Sequence, residues 1–124
     1  MDPIDLAETF LALNGTGRAS LLPGPDFMAR LAASPGDMAY LVGVYPTTAD
    51  WPQWEMHPDG HELLVLLDGR LEMHLDDAGA ISRRTLLAGS CLVVPPGVWH
   101  RADVVEPGRL LGVTYGQGTQ HRPA

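Results

Sequence analysis

Apolar and polar residues alternate with a period of two along much of the chain after residue 38, and this pattern predicts β-strands. The alternation is clearest over residues 70–76, where Leu71, Met73 and Leu75 take every second position and polar residues take the others. Such a strand buries one face and exposes the other. Strands are predicted over 38–45, 51–57, 61–67, 70–76, 81–86, 91–94, 98–105 and 109–115. Short strands at this spacing indicate a β-sandwich or a β-barrel.

Turn signals lie between these segments. Asp68-Gly69 is typical of a two-residue hairpin loop, so we expect it to join the strands over 61–67 and 70–76 as a hairpin. Residues 77–79, with the sequence Asp-Ala-Gly, predict the turn after the second of these strands.

The N-terminal part of the chain has a different pattern, which predicts helix. Asp2 is a candidate N-cap, Pro3 suits the first helical position, and Asn14-Gly15 supplies a stop. The apolar residues between them can form one stripe, so we expect a short helix there. A second short helix is expected at about residues 26–33.

These patterns divide the chain into three parts. Residues 1–36 are expected to pack on a barrel formed by residues 37–118. Residues 119–124 are expected to be a tail, for which disorder is the default, and His121 lies in it.

Composition narrows the class of protein. A chain of 124 residues with 45% hydrophobic residues, 14 glycines and 11 prolines suits one domain of many short strands. The single Cys91 cannot form an internal disulfide, no apolar run is long enough to cross a bilayer, and the N-terminus lacks a signal-peptide pattern, so we expect a cytoplasmic protein without membrane contact. A net charge of -7 argues against nucleic-acid binding.

Two segments carry residues that can bind a metal ion. Glu55 and His57 are two apart on a predicted strand and therefore project from one face, and a turn at 58–60 lets Glu62 return to that face. His100 follows a rigid Pro-Pro-Gly turn. Imidazoles and carboxylates that converge suit a divalent ion. Two histidines and one carboxylate favour non-haem iron, and zinc, manganese and nickel stay open.

The spacing of these residues resembles the two signature motifs of the cupin superfamily. Glu55-x-His57, four residues, Glu62, six residues and Gly69 follow the first motif. The second motif is followed by Gly89, five residues, Pro95-x-Gly97, two residues and His100.

The resemblance implies an all-β jelly-roll barrel that holds one metal near its centre. His57, Glu62 and His100 take ligand positions of the family motifs, and Glu55 takes the position of the first histidine. Val104 replaces an asparagine that is not a ligand. The segment 118–123, Gly-Thr-Gln-His-Arg-Pro, resembles the tail of a bacterial subgroup of small cupins.

Three aromatic residues are candidates for a substrate pocket. Trp51 shares the parity of Glu55 and His57 and is expected to line a substrate pocket, for which Tyr40 and Tyr115 are further candidates.

Among the remaining candidates, His61 adjoins Glu62 and should face the other way, and His74 lies on the polar face and should be solvated. Cys91 is interpreted as a buried thiol, since no basic residue adjoins it.

Three functions follow as hypotheses. The first is a metal-dependent enzyme, of dioxygenase or isomerase type, that acts on a small polar or aromatic molecule, with Glu55 as ligand or general base. The second is a non-catalytic ligand-binding, metal-binding or sensor barrel. The third, a metal-free structural barrel, would leave converging ionisable groups uncompensated. A homodimer is expected if a strand edge stays uncovered.

Overall fold

The structure is a computed structural model that describes residues 1–24, 39–116 and 118–124. All regular elements in this part of the chain are β-strands, as the alternation predicts. There are nine: β1 (Thr9–Leu13), β2 (Ala19–Pro23), β3 (Tyr40–Thr47), β4 (Gln53–Met56), β5 (Glu62–Asp77), β6 (Ala80–Leu87), β7 (Cys91–Val94), β8 (Trp99–Tyr115) and β9 (Gln120–Pro123). No helix within the described ranges could cross a membrane.

The strands are connected as an antiparallel jelly roll. Along one path the order is β2-β1-β3-β8-β4-β9, and β5 pairs with β6, β7 and β8. β5 and β8 have 16 and 17 residues and pair with each other over most of their length. These two strands therefore run through both layers and connect them.

The predicted hairpin at Asp68-Gly69 is wrong. β5 continues through both residues, and shifts in its register with β8 mark an irregularity there instead of a reversal. Gly69 has a φ of 89°, and a Cβ atom at Gly108 would overlap the carbonyl oxygen of Asp68. The glycines let the two long strands bend at close approach, and pairing with β8 on both sides outweighs the local turn preference.

For the same reason, the strands predicted over 98–105 and 109–115 are one strand, β8. The turn predicted at residues 77–79 is present between β5 and β6.

The predicted first helix is also wrong. Its second half is β1, which pairs with both β2 and β3. Leu11 is opposite Val42, and Phe10 is buried against Gly43 on the other face, so both faces of the strand are used. Tertiary pairing has overridden the helical stripe. The helix predicted at about 26–33 lies outside the described residues.

The C-terminal tail is ordered, contrary to the sequence prediction. Its residues 120–123 are β9, which pairs with β4. His121 is opposite Glu55 in this register.

The hydrophobic core lies between the layers and follows the predicted alternation. Leu71 and Met73 are fully buried, whereas the intervening Glu72 is not. The remaining core residues come mostly from β5 and β8: Leu64, Leu66, Leu86, Val94, Val98, Ala102 and Leu110.

Candidate metal centre

Pairing of β4 with β8 brings the first two candidate ligands together. Glu55 and His100 are Cα partners across these strands. His57 follows β4 by one residue, and its ring centroid lies 5.4 Å from that of His100. The pairing of β4 with β8 thus brings His100 next to Glu55, and the adjoining His57 lies beside His100.

A tight turn fixes the start of β8 and with it His100. The amide of Val98 donates to the carbonyl oxygen of Pro95 at 3.3 Å, and Gly97 has a φ of 80°. This is the geometry of a type II turn with Pro96 and Gly97 in the central positions. The His100 ring is fully buried, and its Nδ1 lies 3.0 Å from the carbonyl oxygen of Val98.

Glu62, at the start of β5, lies between the two imidazoles. Its Oε1 is 2.9 Å from Nε2 of His100, and its Oε2 is 3.0 Å from Nε2 of His57. Thr114 donates its hydroxyl to Oε2 at 2.5 Å. The residue is only 5% exposed, so its charge depends on these partners instead of on water.

His57 differs from His100 in what its two nitrogens contact. Nδ1 lies 2.9 Å from Oγ1 of Thr119, which is 62 residues away in sequence. Nε2 is buried without a hydrogen-bond partner, although Glu62 Oε2 lies 3.0 Å away. A buried imidazole nitrogen in this state is costly unless something else binds it.

The donor set fits a divalent metal ion. Glu55, His57 and His100 each offer one ligand atom, and these atoms lie within 4.8 Å of one another. Two imidazoles with carboxylates are ligands that iron, zinc and manganese accept. The unsatisfied Nε2 of His57 is the atom that such an ion would bind.

Charge and burial together set the ionisation of Glu62 and His100. Burial alone raises the pKa of the Glu62 carboxyl, but the hydrogen bond with His100 and the nearby charges of His57 and His100 outweigh it and lower that pKa to about 2. Burial alone lowers the pKa of His100, and the hydrogen bond and charge of Glu62 outweigh it and raise that pKa. In the metal-free protein, His100 has acceptors at both nitrogens and so favours the imidazolium form.

A cavity of about 260 Å³ adjoins these residues. Its wall includes Trp51, Glu55, Glu62, Tyr45 and Thr114. Partial burial and the negative charges of Glu62 and Glu55 raise the pKa of Tyr45 to about 12, so its phenol keeps its proton. Trp51, which precedes β4, forms part of this wall.

Tyr40 and Tyr115 do not line this cavity. Their rings are 5.1 Å apart in an edge-to-face pair, on the opposite face of the sheet. There they border a separate depression with Asp59, Gly60 and His61. The tyrosine at the cavity is Tyr45, which is an odd number of residues from Tyr40 along β3 and therefore faces inward.

The predicted exposure of three further residues agrees with the structure in one case and not in the other two. His61 is exposed on the outer face, as alternation predicts. His74 is buried instead of solvated, and its Nε2 lies 2.7 Å from Asp103 Oδ2 on the neighbouring β8. Cys91 is exposed instead of buried, because β7 turns this side outward.

Comparison with known proteins identifies the family. Residues 40–114, which include both motifs, match the family described as the cupin domain. The chain belongs to the cupin family. No curated protein matches the sequence.

Several solved structures share its fold. A cupin-2 domain protein from Shewanella frigidimarina aligns with a TM-score of 0.54 and 20% identity, over 73% of this chain and 92% of that one. Fe(II) HppE in complex with substrate aligns with a TM-score of 0.53 and 22% identity, over 62% of this chain and 43% of that one. Hydroquinone 1,2-dioxygenase PnpCD in complex with Cd²⁺ and 4-hydroxybenzonitrile aligns with a TM-score of 0.54 and 17% identity, over 65% of this chain and 60% of that one. The match spans less than half of the length of HppE.

Proposed function

We propose that this cupin is a metal-dependent enzyme, of dioxygenase or isomerase type, that acts on a small polar or aromatic molecule. The supporting observation is the buried Nε2 of His57, which has no hydrogen-bond partner beside ligand atoms of Glu55 and His100. His57, His100 and Glu62 are the proposed ligands, with Glu55 as the fourth.

A divalent ion in this site would supply Lewis acidity or, if it is iron, oxygen activation. Glu55 is less buried than the histidines and borders the cavity. If it does not bind the ion, its carboxylate can hold or accept a proton of a substrate in the cavity. Tyr45, with its raised pKa, stays a hydrogen-bond donor there.

The cavity limits the substrate. At about 260 Å³, between the rings of Trp51 and Tyr45, it suits a small molecule. Two carboxylates and no arginine or lysine are among the residues that the structure describes at its wall. This favours a neutral substrate over an anionic one.

Elemental analysis of protein purified without a chelator tests the metal. We expect about one ion per chain, in line with a single ligand set. His100→Ala should abolish binding, and His61→Ala is the control, because His61 is exposed on the outer face beside Glu62 in sequence. Protein that takes up no iron, manganese, zinc or nickel would refute the proposal. Metal-loaded protein that converts no small neutral phenol or polyol would favour the non-catalytic binding function.

We further propose that two chains pair through the outer face of the sheet. One row of six apolar residues crosses six strands in register on this face: Leu21, Leu11, Val42, Val113, Leu63 and Val93. Leu21, Leu63 and Val93 are each more than a third exposed. Six strands and the rows on either side cover on the order of 500 Å² of flat area. This approaches the about 800 Å² per partner of a standard interface.

Two copies of this acidic chain can pair with least repulsion through an uncharged face. The chain carries a net charge of -7, so two copies repel each other wherever charged residues meet. The row itself contains no charged residue. Leu63→Arg should therefore shift the mass in light scattering from dimer to monomer, whereas Leu87→Arg, at an exposed position on β6, should not. A wild-type monomer at high micromolar concentration would refute this proposal.

A further inference from the structure

We infer that the C-terminal strand positions the metal centre, with Thr119 holding the ring of His57 and Arg122 anchoring the strand. This inference rests on the proposed metal site. It assigns a role to the segment 118–123.

Thr119 is the contact between the tail and the centre. Its Oγ1 lies 2.9 Å from Nδ1 of His57. When Nε2 of a histidine binds a metal, the ring proton is on Nδ1 and needs an acceptor, and this second contact fixes both the tautomer and the ring orientation. A hydroxyl can accept a hydrogen bond from that N–H group, and it can also donate one to Nδ1 when the site is metal-free.

The two histidines are supported in different ways. His100 is held by the carbonyl oxygen of Val98, two residues before it in the same chain segment. His57 lies in the loop after β4 and depends on Thr119, 62 residues away. The orientation of the His57 ring therefore depends on how firmly the C-terminal tail is held against the sheet.

Arg122 supplies that attachment. It is the Cα partner of Trp54 on β4, and its guanidinium lies 5.1 Å from the ring centroid of Trp54 and 4.5 Å from that of Trp99. It also forms an ion pair with Asp76 at the end of β5. A planar guanidinium can stack on both rings and pair with the carboxylate at once, which a lysine ammonium cannot do.

The tail touches the centre at a second point. β9 places His121 opposite Glu55, and its Nε2 lies 3.7 Å from Glu55 Oε1. β9 pairs only with β4 among the described strands, and it is four residues long. Four residue pairs with β4 and the contacts of Arg122 hold this edge strand, so loss of the Arg122 contacts should loosen Thr119 and His121 together.

Titration of the metal-free protein with Co²⁺ tests the role of Thr119. Thr119→Val keeps the shape of the side chain and removes the acceptor, and it should weaken Co²⁺ binding by about 10- to 100-fold. Thr119→Ser restores the hydroxyl and should restore affinity. Gln120→Ala, at an exposed position of the same strand, is the control and should bind as wild type does. The visible spectrum of the Co²⁺ protein should change in Thr119→Val but not in Thr119→Ser or Gln120→Ala.

Arg122→Lys tests the anchor. It keeps the charge opposite Asp76 but loses the stacking on both tryptophans, so it should weaken Co²⁺ binding and speed amide exchange in β9 while the β5 amides stay protected. Equal Co²⁺ affinity in wild type and Thr119→Val would overturn this inference and leave the proposed function standing. A wild-type protein that binds no Co²⁺, iron, manganese, zinc or nickel would overturn both.

Discussion

Replacing Glu62 by glutamine removes one negative charge from between two buried imidazoles and changes little else in shape. In the metal-free protein, Glu62 is 5% exposed and contacts His100 and His57 at 2.9 and 3.0 Å. The partners lower its pKa from 4.5 to about 2, which corresponds to about 3 kcal/mol of stability. Removal of one partner of a buried ion pair costs about 3–5 kcal/mol in general, so we expect a loss near the lower end of this range.

The cost of Glu62→Gln should depend on pH in a way that identifies its cause. A carboxyl whose pKa is lowered on folding stabilises the protein fully above its unfolded pKa, here 4.5, and loses that contribution as the pH falls towards 2. Glu62→Gln should therefore cost about 3 kcal/mol at pH about 5.5, and the difference from wild type should shrink below pH 4.5.

Urea unfolding in the presence of a chelator measures this difference. The control is Glu72→Gln on the same strand, because Glu72 only accepts a hydrogen bond from Thr85 on the outer face. We expect the control to change the free energy of unfolding by less than about 0.5 kcal/mol. If Glu62→Gln and Glu72→Gln cost the same at pH about 5.5, the charge of Glu62 does not stabilise the fold and our account of the site is wrong.

Three further predictions concern stability and pH. Leu66→Ala, at a fully buried position, should cost about 2–5 kcal/mol in urea unfolding, whereas Leu67→Ala, at a position that is 39% exposed, should cost less than about 1. Gly108→Ala should lower the thermal midpoint by the equivalent of at least about 1–3 kcal/mol, since its Cβ would overlap the backbone of Asp68; an unchanged midpoint would contradict the close approach. The raised pKa of His100 adds stability below pH 6.5 that is lost as the pH rises, so the stability that the Glu62–His100 pair adds to the metal-free protein should be greatest between pH 4.5 and 6.5. Metal affinity should instead rise with pH, because the imidazoles must lose their protons to bind. A metal affinity independent of pH would argue against imidazole ligands.

Local pattern in the sequence was enough for much of the fold and for the candidate ligands. Alternation along residues 70–76 predicted which side chains enter the core, because side-chain direction in a strand has a period of two wherever the strand lies. The same parity placed Glu55 on the side of His57, and the Pro-Pro-Gly turn fixed the start of the strand that carries His100.

The tertiary structure decided what depends on distant partners. Asp68-Gly69 has the sequence of a hairpin turn, yet the chain continues as one strand because β8 pairs with β5 both before and after these two residues. Tyr45 instead of Tyr40 faces the cavity, since the register of β3 with β8 sets which face is inner. Thr119 meets His57 only because β9 pairs with β4. Each of these outcomes depends on pairing between segments far apart in sequence, and local sequence preferences do not determine which segments pair or in which register.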